Sequence, residues 1–185
     1  MPAGASVAIF GCGNVGLSAI IAAKVVGAGM IVAVDALDKK LELAKELGAT
    51  RVINAKSESP PEEIKELTGA GVDYVVECIG NTDVIAQAFD SIAPAGKAIV
   101  IGAPPFGAKV SIDVLSLLME RSLMGCVEGS LRPEIDIPRY VEMFMAKKIA
   151  LDRLVTHKFP FSEINEAFQT IEKGEAVKCV LIFQE

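Results

Sequence analysis

A glycine-rich turn directly after a short apolar run is the feature that most constrains the fold of this chain. Residues 7–10 read Val-Ala-Ile-Phe, and Gly11, Gly13 and Gly16 follow in a Gly-x-Gly-x-x-Gly pattern. An apolar segment of helical length, residues 15–26, comes next, so the pattern predicts a strand, a tight turn and a helix. The first glycine permits the bend, the second lets a ligand approach the backbone, and the third lets the helix pack closely on the strand. The start of the helix offers N–H groups and a partial positive charge, which suit phosphate groups.

An acidic residue stands at the end of the second apolar run. This run covers residues 31–34, and Asp35 follows it. A carboxylate at that place can accept hydrogen bonds from a ribose diol, and it repels a 2′-phosphate. The glycine pattern alone is a weak signal, but strand, helix and acid together predict a dinucleotide site that prefers NAD over NADP. The alternative is a tight strand–helix turn that binds no ligand.

Strands and helices alternate along most of the chain. The predicted strands are residues 6–10, 31–34, 51–53, 72–77, 97–101 and, last in the sheet, 122–127. The predicted helices are residues 15–26, 38–47, 60–67, 83–92 and 114–119, with a turn at 94–96. This alternation favours an α/β fold, a doubly wound parallel sheet of the Rossmann type with strand order 3-2-1-4-5-6. Ligands of such sheets bind beyond the carboxyl ends of the strands.

The tail changes character and predicts a C-terminal helix and strand appendage. We divide the chain into a dinucleotide-binding domain, residues 1–127, and a C-terminal segment, residues 128–185. The remaining expected elements are a short strand at 110–112, a loop at 133–138, a helix at 139–148, an extended segment at 154–159, a helix at 162–173 and a strand at 178–183. Ser162 is the expected N-cap of the last helix, and Gly174 is its expected stop.

Composition and charge argue against several kinds of partner. The formal net charge is −6 and no basic run is present, so we expect no nucleic-acid partner. Lys24, Gly27 and Gly29 interrupt the apolar stretch 15–34, which favours helix, turn and strand over a membrane span. The four cysteines show no Cys-x-x-Cys spacing, which favours free thiols in a reducing compartment and argues against a metal site. No leader pattern precedes the first strand, so we expect a cytoplasmic protein without a membrane partner.

Several segments together resemble a known family, the zinc-dependent medium-chain alcohol dehydrogenases. They include Ile-Phe-Gly-Cys-Gly-Asn-Val-Gly-Leu-Ser at 9–18, Val-Asp at 34–35, Lys-Glu-Leu-Gly-Ala-Thr at 45–50, Gly-Val-Asp-Tyr at 71–74, Glu-Cys-Ile-Gly at 77–80 and Gly-Ala-Pro-Pro at 102–105. The tail adds residues 144–148, 151–152, 156–157, 160–161, 164–168 and 174–175. The resemblance implies an NAD-linked interconversion of an alcohol and an aldehyde or ketone.

The resemblance also assigns cofactor contacts to residues of this chain. The pyrophosphate would contact the backbone N–H groups of Asn14 and Val15 and the side chain of Lys178, and the adenosine ribose would contact Asp35 and Lys40. The adenine would lie against Ala36, Ile79 and Asn81. The nicotinamide carboxamide would contact backbone groups of Ile101, Cys126 and Glu128. For Lys40 and Lys178, the alternative is an exposed lysine that contacts only water, the usual state of this residue.

The chain departs from the family at its catalytic centre. The family builds its zinc site from Cys, His and Cys ligands in a preceding domain, which this sequence does not include. One histidine cannot complete a three-ligand site, and we interpret His157 as structural or surface-exposed. We therefore assign no catalytic and no metal-binding residue here, and expect the chain alone to bind NAD(H) without turnover. Glu128 stands where many members carry an aromatic residue, which is closer to the aryl-alcohol branch.

Two other functions fit parts of the sequence. One is a non-catalytic module that senses NAD(H), although a sensor has no need for the family-like tail. The other is a zinc-free quinone or enoyl reductase, although those enzymes usually prefer NADP and lack an acid at Asp35. The resemblance further implies a homodimer or larger assembly through the last sheet strand, residues 122–127.

Overall fold

A computed structural model describes residues 1–183 and contains a six-stranded parallel sheet of order β3-β2-β1-β4-β5-β6. The strands are β1 Ser6–Phe10, β2 Met30–Asp35, β3 Arg51–Asn54, β4 Val72–Glu77, β5 Ile92–Val100 and β6 Ser122–Gly125. The helices between them are α1 Asn14–Val25, α2 Asp38–Leu47, α3 Pro60–Thr68 and α4 Thr82–Asp90. The predicted Rossmann fold and its strand order are confirmed.

Helices on both faces of the sheet explain why its central strands are so apolar. Residues 7–10 of β1 and 31–34 of β2 are all buried. Phe10 of β1 packs in one cluster with Phe89 of α4 and Ile64 of α3. A parallel sheet covered on both faces needs continuous runs of Val, Ile and Ala, which this sequence supplies.

Local signals in the sequence set the ends of the helices. Pro60 and Pro61 open α3, and Gly69, in a left-handed conformation, ends it. Asn81 caps α4, because its Oδ1 accepts hydrogen bonds from two backbone N–H groups of the first turn. Helix α1 is less buried than its all-round apolar sequence predicts, since its last residue, Val25, and the following Val26 are exposed.

Three predicted elements near β5 and β6 differ from the structure. Residues 110–112 form no strand, and 114–119 is a 3₁₀ helix instead of an α-helix. The predicted turn at 94–96 lies inside β5, where Ala95 has a φ of 62° and the pairing with β4 shifts between Val72 and Tyr74. Strand β5 therefore begins at the buried Ile92, and the residues predicted as a turn form a β-bulge within this strand.

The described chain clusters into two compact units, Met1–Arg139 and the segment from Tyr140 onward. The second unit contains two parallel strands, β7 His157–Pro160 and β8 Cys179–Ile182, with α6 Ile164–Glu172 between them along the chain. The division predicted from the sequence, with a dinucleotide-binding domain that ends at residue 127 and a C-terminal segment after it, stays a prediction.

Two predictions about the tail are wrong. Residues 133–138 are not a loop, because α5 spans Pro133–Met145 and includes Pro138. The Arg132 N–H donates to Asp136 Oδ2 at 2.8 Å, so a local side-chain bond starts this helix ahead of the internal proline. Ser162 is not an N-cap, because 161–163 is a 3₁₀ turn that leads directly into α6.

The glycine turn brings α1 into direct backbone contact with the end of β1. A Cβ atom at Gly16 would lie 1.7 Å from the carbonyl oxygen of Gly11. A Cβ atom at Gly13 would meet nothing within 4 Å. The close helix packing predicted for Gly16 is confirmed, and Gly13 borders open space.

We expect Gly16→Ala to lower the free energy of unfolding by about 2–3 kcal/mol or more, because the added methyl group collides with backbone that cannot move aside. Gly13→Ala is the matched control. Gly13 has φ −78° and ψ −169°, which alanine adopts freely, so its unfolding free energy should change by less than about 1 kcal/mol. Urea denaturation measures both variants, and equal stability of the two would contradict the packing argument.

Candidate functional site

The carboxyl ends of five strands form one row across the sheet. Pairing aligns Val34, Phe10, Glu77, Val100 and Gly125 as neighbours from β2 to β6. The residue after each of them therefore lies on the same edge of the sheet. A doubly wound sheet binds its ligands at this edge.

The hydrogen-bond ladder continues one residue beyond the strands and fixes the positions of the predicted site residues. The N–H groups of Gly11, Ile101 and Cys126 each donate to the carbonyl of a neighbouring strand, over 2.8–3.0 Å. The glycine turn, Asp35, Ile101 and Cys126 therefore lie at one edge of the sheet. Their contacts with a cofactor remain predictions.

The glycine turn and the start of α1 can hold a phosphate group. The first N–H groups of a helix have no partner within it, and α1 begins at Asn14 beside the open space over Gly13. Val15, the next residue, has 46% of its surface exposed. Asn14 Oδ1 is buried and has no hydrogen-bond partner among the described residues. A negatively charged group can therefore approach this backbone without steric obstruction.

Asp35 is connected to the glycine turn by a direct hydrogen bond. The Cys12 N–H donates to Asp35 Oδ2 at 2.7 Å, and the Leu37 N–H donates to Asp35 Oδ1 at 3.0 Å. A carboxylate accepts about four hydrogen bonds, so lone pairs remain for two ribose hydroxyls. Ala36 follows directly and is half-buried, as is Lys40 in the first turn of α2.

The loop after β4 contributes an apolar surface. Ile79 is 51% exposed, yet its side chain also lies over Gly11, where a Cβ atom would be 2.6 Å from Ile79 Cγ1. Asn81 is exposed, and its side-chain oxygen is used to cap α4. A planar base can pack on Ile79, whereas the carbonyl of Asn81 is already engaged.

The sequence analysis assigned no role to Glu77, the last residue of β4. Its side chain is 0% exposed, and its Oε1 accepts from the N–H groups of Ile79 at 2.7 Å and Gly80 at 2.8 Å. Oε2 is buried without a hydrogen-bond partner in the described part of the chain. The available signal was an acidic residue at the end of an apolar strand, followed at once by Cys-Ile-Gly.

The three backbone positions predicted for the carboxamide offer different atoms. The N–H groups of Ile101 and Cys126 are engaged in the ladder, so their carbonyl groups are the atoms available to a ligand. Glu128 is exposed and has a φ of 50°, and with Gly129 and Ser130 it forms a short left-handed segment. The arrangement offers acceptors from two strand ends and a turn after β6.

The predicted cofactor residue Lys178 and the histidine interpreted as structural or surface-exposed, His157, both belong to the second unit. Lys178 is exposed, and its carbonyl accepts from the N–H groups of Thr156 and His157. His157 Nδ1 lies 3.0 Å from Thr156 Oγ1, and its ring stacks on Phe159. The contact of Lys178 with a pyrophosphate remains a prediction.

Among residues 1–183, no three His, Cys, Asp or Glu side chains lie together where they could hold a metal ion. Within the same range, no helix is both long enough and apolar enough to cross a lipid bilayer.

Two thiols at the site are poor nucleophiles. Burial raises the pKa of the Cys12 thiol to about 12, and the Asp35 carboxylate acts in the same direction. Burial also raises the pKa of the Cys78 thiol to about 12, with a further contribution from Glu77. The thiolate is the reactive form, so a raised pKa lowers reactivity at a given pH.

At pH 8 we expect Cys12 and Cys78 to react with iodoacetamide about a thousandfold more slowly than thiols of ordinary pKa, because only about one in ten thousand is ionised. Their rates should rise tenfold per pH unit from 7 to 10 without levelling off. Peptide mass spectrometry measures the labelling of each cysteine, and the same cysteines in urea-unfolded protein are the reference. A plateau near pH 9 for Cys12 would contradict the assignment.

Comparison with known proteins gives the relationships of the chain. Residues 14–147 match the family model described as zinc-binding dehydrogenase. Alcohol dehydrogenase 1 of Cenchrus americanus is 39% identical over 183 residues, which is 97% of this chain and 48% of that protein. The crystal structure of an alcohol dehydrogenase zinc-binding domain protein from Burkholderia ambifaria superposes with a TM-score of 0.96 at 39% identity, over 100% of this chain and 50% of that one.

The crystal structure of benzyl alcohol dehydrogenase from Acinetobacter calcoaceticus also has a TM-score of 0.96, at 40% identity over 99% of this chain and 51% of that one. The chain spans about half the length of the curated relatives it matches. With the family model covering most of the sequence, the chain belongs to the zinc-binding dehydrogenase family and represents the cofactor-binding half of its medium-chain alcohol dehydrogenases.

Proposed function

We propose that the edge formed by the glycine turn and Asp35 binds NAD(H). The observation that carries this proposal is the pair of Asp35 and the open backbone at Gly13, joined through the Cys12 N–H. The N–H groups of Asn14 and Val15 would bind the pyrophosphate at the positive end of α1. Asp35 would accept from the adenosine ribose hydroxyls, and Ile79 would pack on the adenine.

Backbone atoms would orient the other end of the dinucleotide. The carbonyls of Ile101 and Cys126 can accept from a carboxamide NH₂ group, and the backbone of Glu128 follows two residues after Cys126. The nicotinamide ring supplies the hydride chemistry when it is bound. The residues of this chain would bind and orient it.

We infer that the whole protein is an oxidoreductase that acts on an alcohol or the matching aldehyde or ketone. A benzyl-type alcohol is the substrate we favour, because a benzyl alcohol dehydrogenase superposes so well and Glu128 replaces the usual aromatic residue. We further infer that the catalytic zinc uses ligands outside this segment, because the described residues bring no ligand set together. The four free cysteines fit a reducing compartment, for which we propose the cytoplasm.

The family-like tail and Asp35 favour this function over the two alternatives. A sensor would need no tail of this kind, yet similarity to alcohol dehydrogenases extends over 97% of the chain. Quinone and enoyl reductases usually prefer NADP, which the Asp35 carboxylate disfavours. NADP preference in titrations would reverse this ranking.

We also propose that the protein forms a homodimer through β6. This strand is last in the sheet order, and Met124 within it and Val127 just after it are largely exposed. An exposed strand edge with apolar side chains is prone to pair with another edge.

We expect the chain to bind NAD at least about tenfold more tightly than NADP, a difference of about 1.4 kcal/mol, because Asp35 repels a 2′-phosphate. Asp35→Ala should weaken NAD binding and reduce the difference between the affinities for NAD and NADP. Asp35→Asn is the matched control, since its oxygen can still accept from Cys12 while the charge is gone. The Asp35→Asn variant should also reduce the difference between the affinities for NAD and NADP, with a smaller loss of NAD affinity than in Asp35→Ala. Isothermal titration calorimetry measures the wild type and both variants. Equal affinities of the wild type for NAD and NADP would contradict the assignment of the NAD preference to Asp35.

We expect the zinc-saturated chain to oxidise benzyl alcohol at least about 10⁴-fold more slowly than an ordinary kcat of about 10 s⁻¹. Binding of the alcohol oxygen to a Lewis acid makes its proton easier to lose, and the described residues bring no group of metal ligands together. Production of NADH at 340 nm measures the rate. NADH binding, followed by its fluorescence, controls for folding, and an ordinary turnover rate would refute the proposal that the zinc ligands lie elsewhere.

A further inference from the structure

Glu77 is a buried acid whose place in the fold is not explained by packing. It is the last residue of β4, pairs with the buried Phe10 of β1 and is itself 0% exposed. Burial of a carboxyl group with one unpartnered oxygen is unfavourable, and an apolar residue would suit this strand better. The partners of its other oxygen are the backbone N–H groups of Ile79 and Gly80. The side chain therefore serves the loop that follows the strand.

The backbone of the same residue holds a second loop. The Glu77 carbonyl accepts from the N–H groups of Ile101 at 2.8 Å and Gly102 at 3.0 Å. Glu77 thus binds four backbone N–H groups in the two loops beyond β4 and β5. Both loops contain residues of the proposed NAD site.

The two loops are in direct backbone contact, so the position of one determines the position of the other. A Cβ atom at Gly102 would lie 2.1 Å from the Gly80 nitrogen, and one at Gly80 would lie 2.5 Å from the carbonyl carbon of Ala103. Close packing of this kind transmits displacements. A shift of Gly80 therefore moves the loop that begins at Ile101.

The loop after β4 also contacts the glycine turn. The Ile79 side chain lies where a Cβ of Gly11 would be, 2.6 Å from Ile79 Cγ1. The three segments that border the proposed dinucleotide site thus meet around the two residues held by the Glu77 carboxyl group.

We propose that Glu77 is a positioning residue for NAD(H): its side chain fixes the turn at Ile79 and Gly80, and through that turn it aligns the glycine turn and the Ile101 loop. This inference rests on the proposed function, the binding of NAD(H) at this edge. Glu77 is fully buried and acts through the loop without touching the dinucleotide. A misplacement of about 1 Å in the groups that position a reactant can lower a rate about a hundredfold.

The test compares four substitutions. Glu77→Gln keeps an oxygen that can accept from both N–H groups, whereas Glu77→Met has similar size and no acceptor of that strength. Val75→Ala removes buried volume from the same strand without touching the loop, and controls for general destabilisation. Glu77→Asp, one methylene shorter, serves as a second loss-of-contact variant if the Met variant does not fold. Each is measured by NADH fluorescence titration and by amide hydrogen exchange at Ile79 and Gly80.

We expect Glu77→Met to raise the Kd for NADH about tenfold or more and to speed exchange at both amides. Glu77→Gln should restore slow exchange and bind within about threefold of the wild type, because its oxygen accepts the same hydrogen bonds. Val75→Ala should lower stability with little change in Kd.

Two results would overturn the inference. One is a Met or Asp variant with fast exchange at the two amides but wild-type NADH affinity. The other is an equal loss of affinity in Val75→Ala, which would show a general effect of stability. If wild-type protein itself does not bind NADH, the proposed function fails, and the role of Glu77 toward NAD(H) fails with it.

Discussion

The contact between Gly16 and the carbonyl of Gly11 is the constraint on which the rest of this site depends. A helix can begin immediately beside the end of β1 only if nothing larger than hydrogen stands at Gly16. That closeness places the positive end of α1 at the carboxyl edge of the sheet, where the other loops converge. The cofactor-binding half of this family is therefore built around a backbone contact, and side chains refine what the backbone has arranged.

Two acidic side chains at this edge each accept hydrogen bonds from the backbone N–H groups of a loop. Asp35 accepts from the N–H of Cys12 in the glycine turn, and Glu77 accepts from the N–H groups of Ile79 and Gly80. Each carboxyl group fixes a loop that leaves a neighbouring strand. They differ in exposure, since Asp35 is half-buried and keeps lone pairs toward the open side, whereas Glu77 is enclosed. Exposure thus separates a residue that can contact a ligand from one that acts through its neighbours.

The sequence predicted the sheet well because its signals were local and mutually consistent. Apolar runs marked the strands, and Gly48 and Pro60 marked where helices end and begin. The errors occurred where tertiary pairing or a single side-chain bond decided the outcome. Pairing of Ile92 with Val72 drew the predicted turn at 94–96 into β5, and the Arg132–Asp136 bond started α5 before Pro138.

The site residues likewise divide into those that local sequence could predict and those that it could not. Gly11, Gly16 and Asp35 could be found from sequence, because each has a side chain, or the lack of one, that the geometry requires. The role of Glu77 could not, because its place at the end of an apolar strand before Cys-Ile-Gly is a weak signal, and the role depends on the conformation of the loop that follows. Most polar atoms at this edge belong to the backbone, as at Ile101 and Cys126, so the side chains there carry little information about the ligand. Under the proposed function, a site of this design would contact the part that dinucleotides share, and discrimination between alcohols would depend on side chains outside these residues.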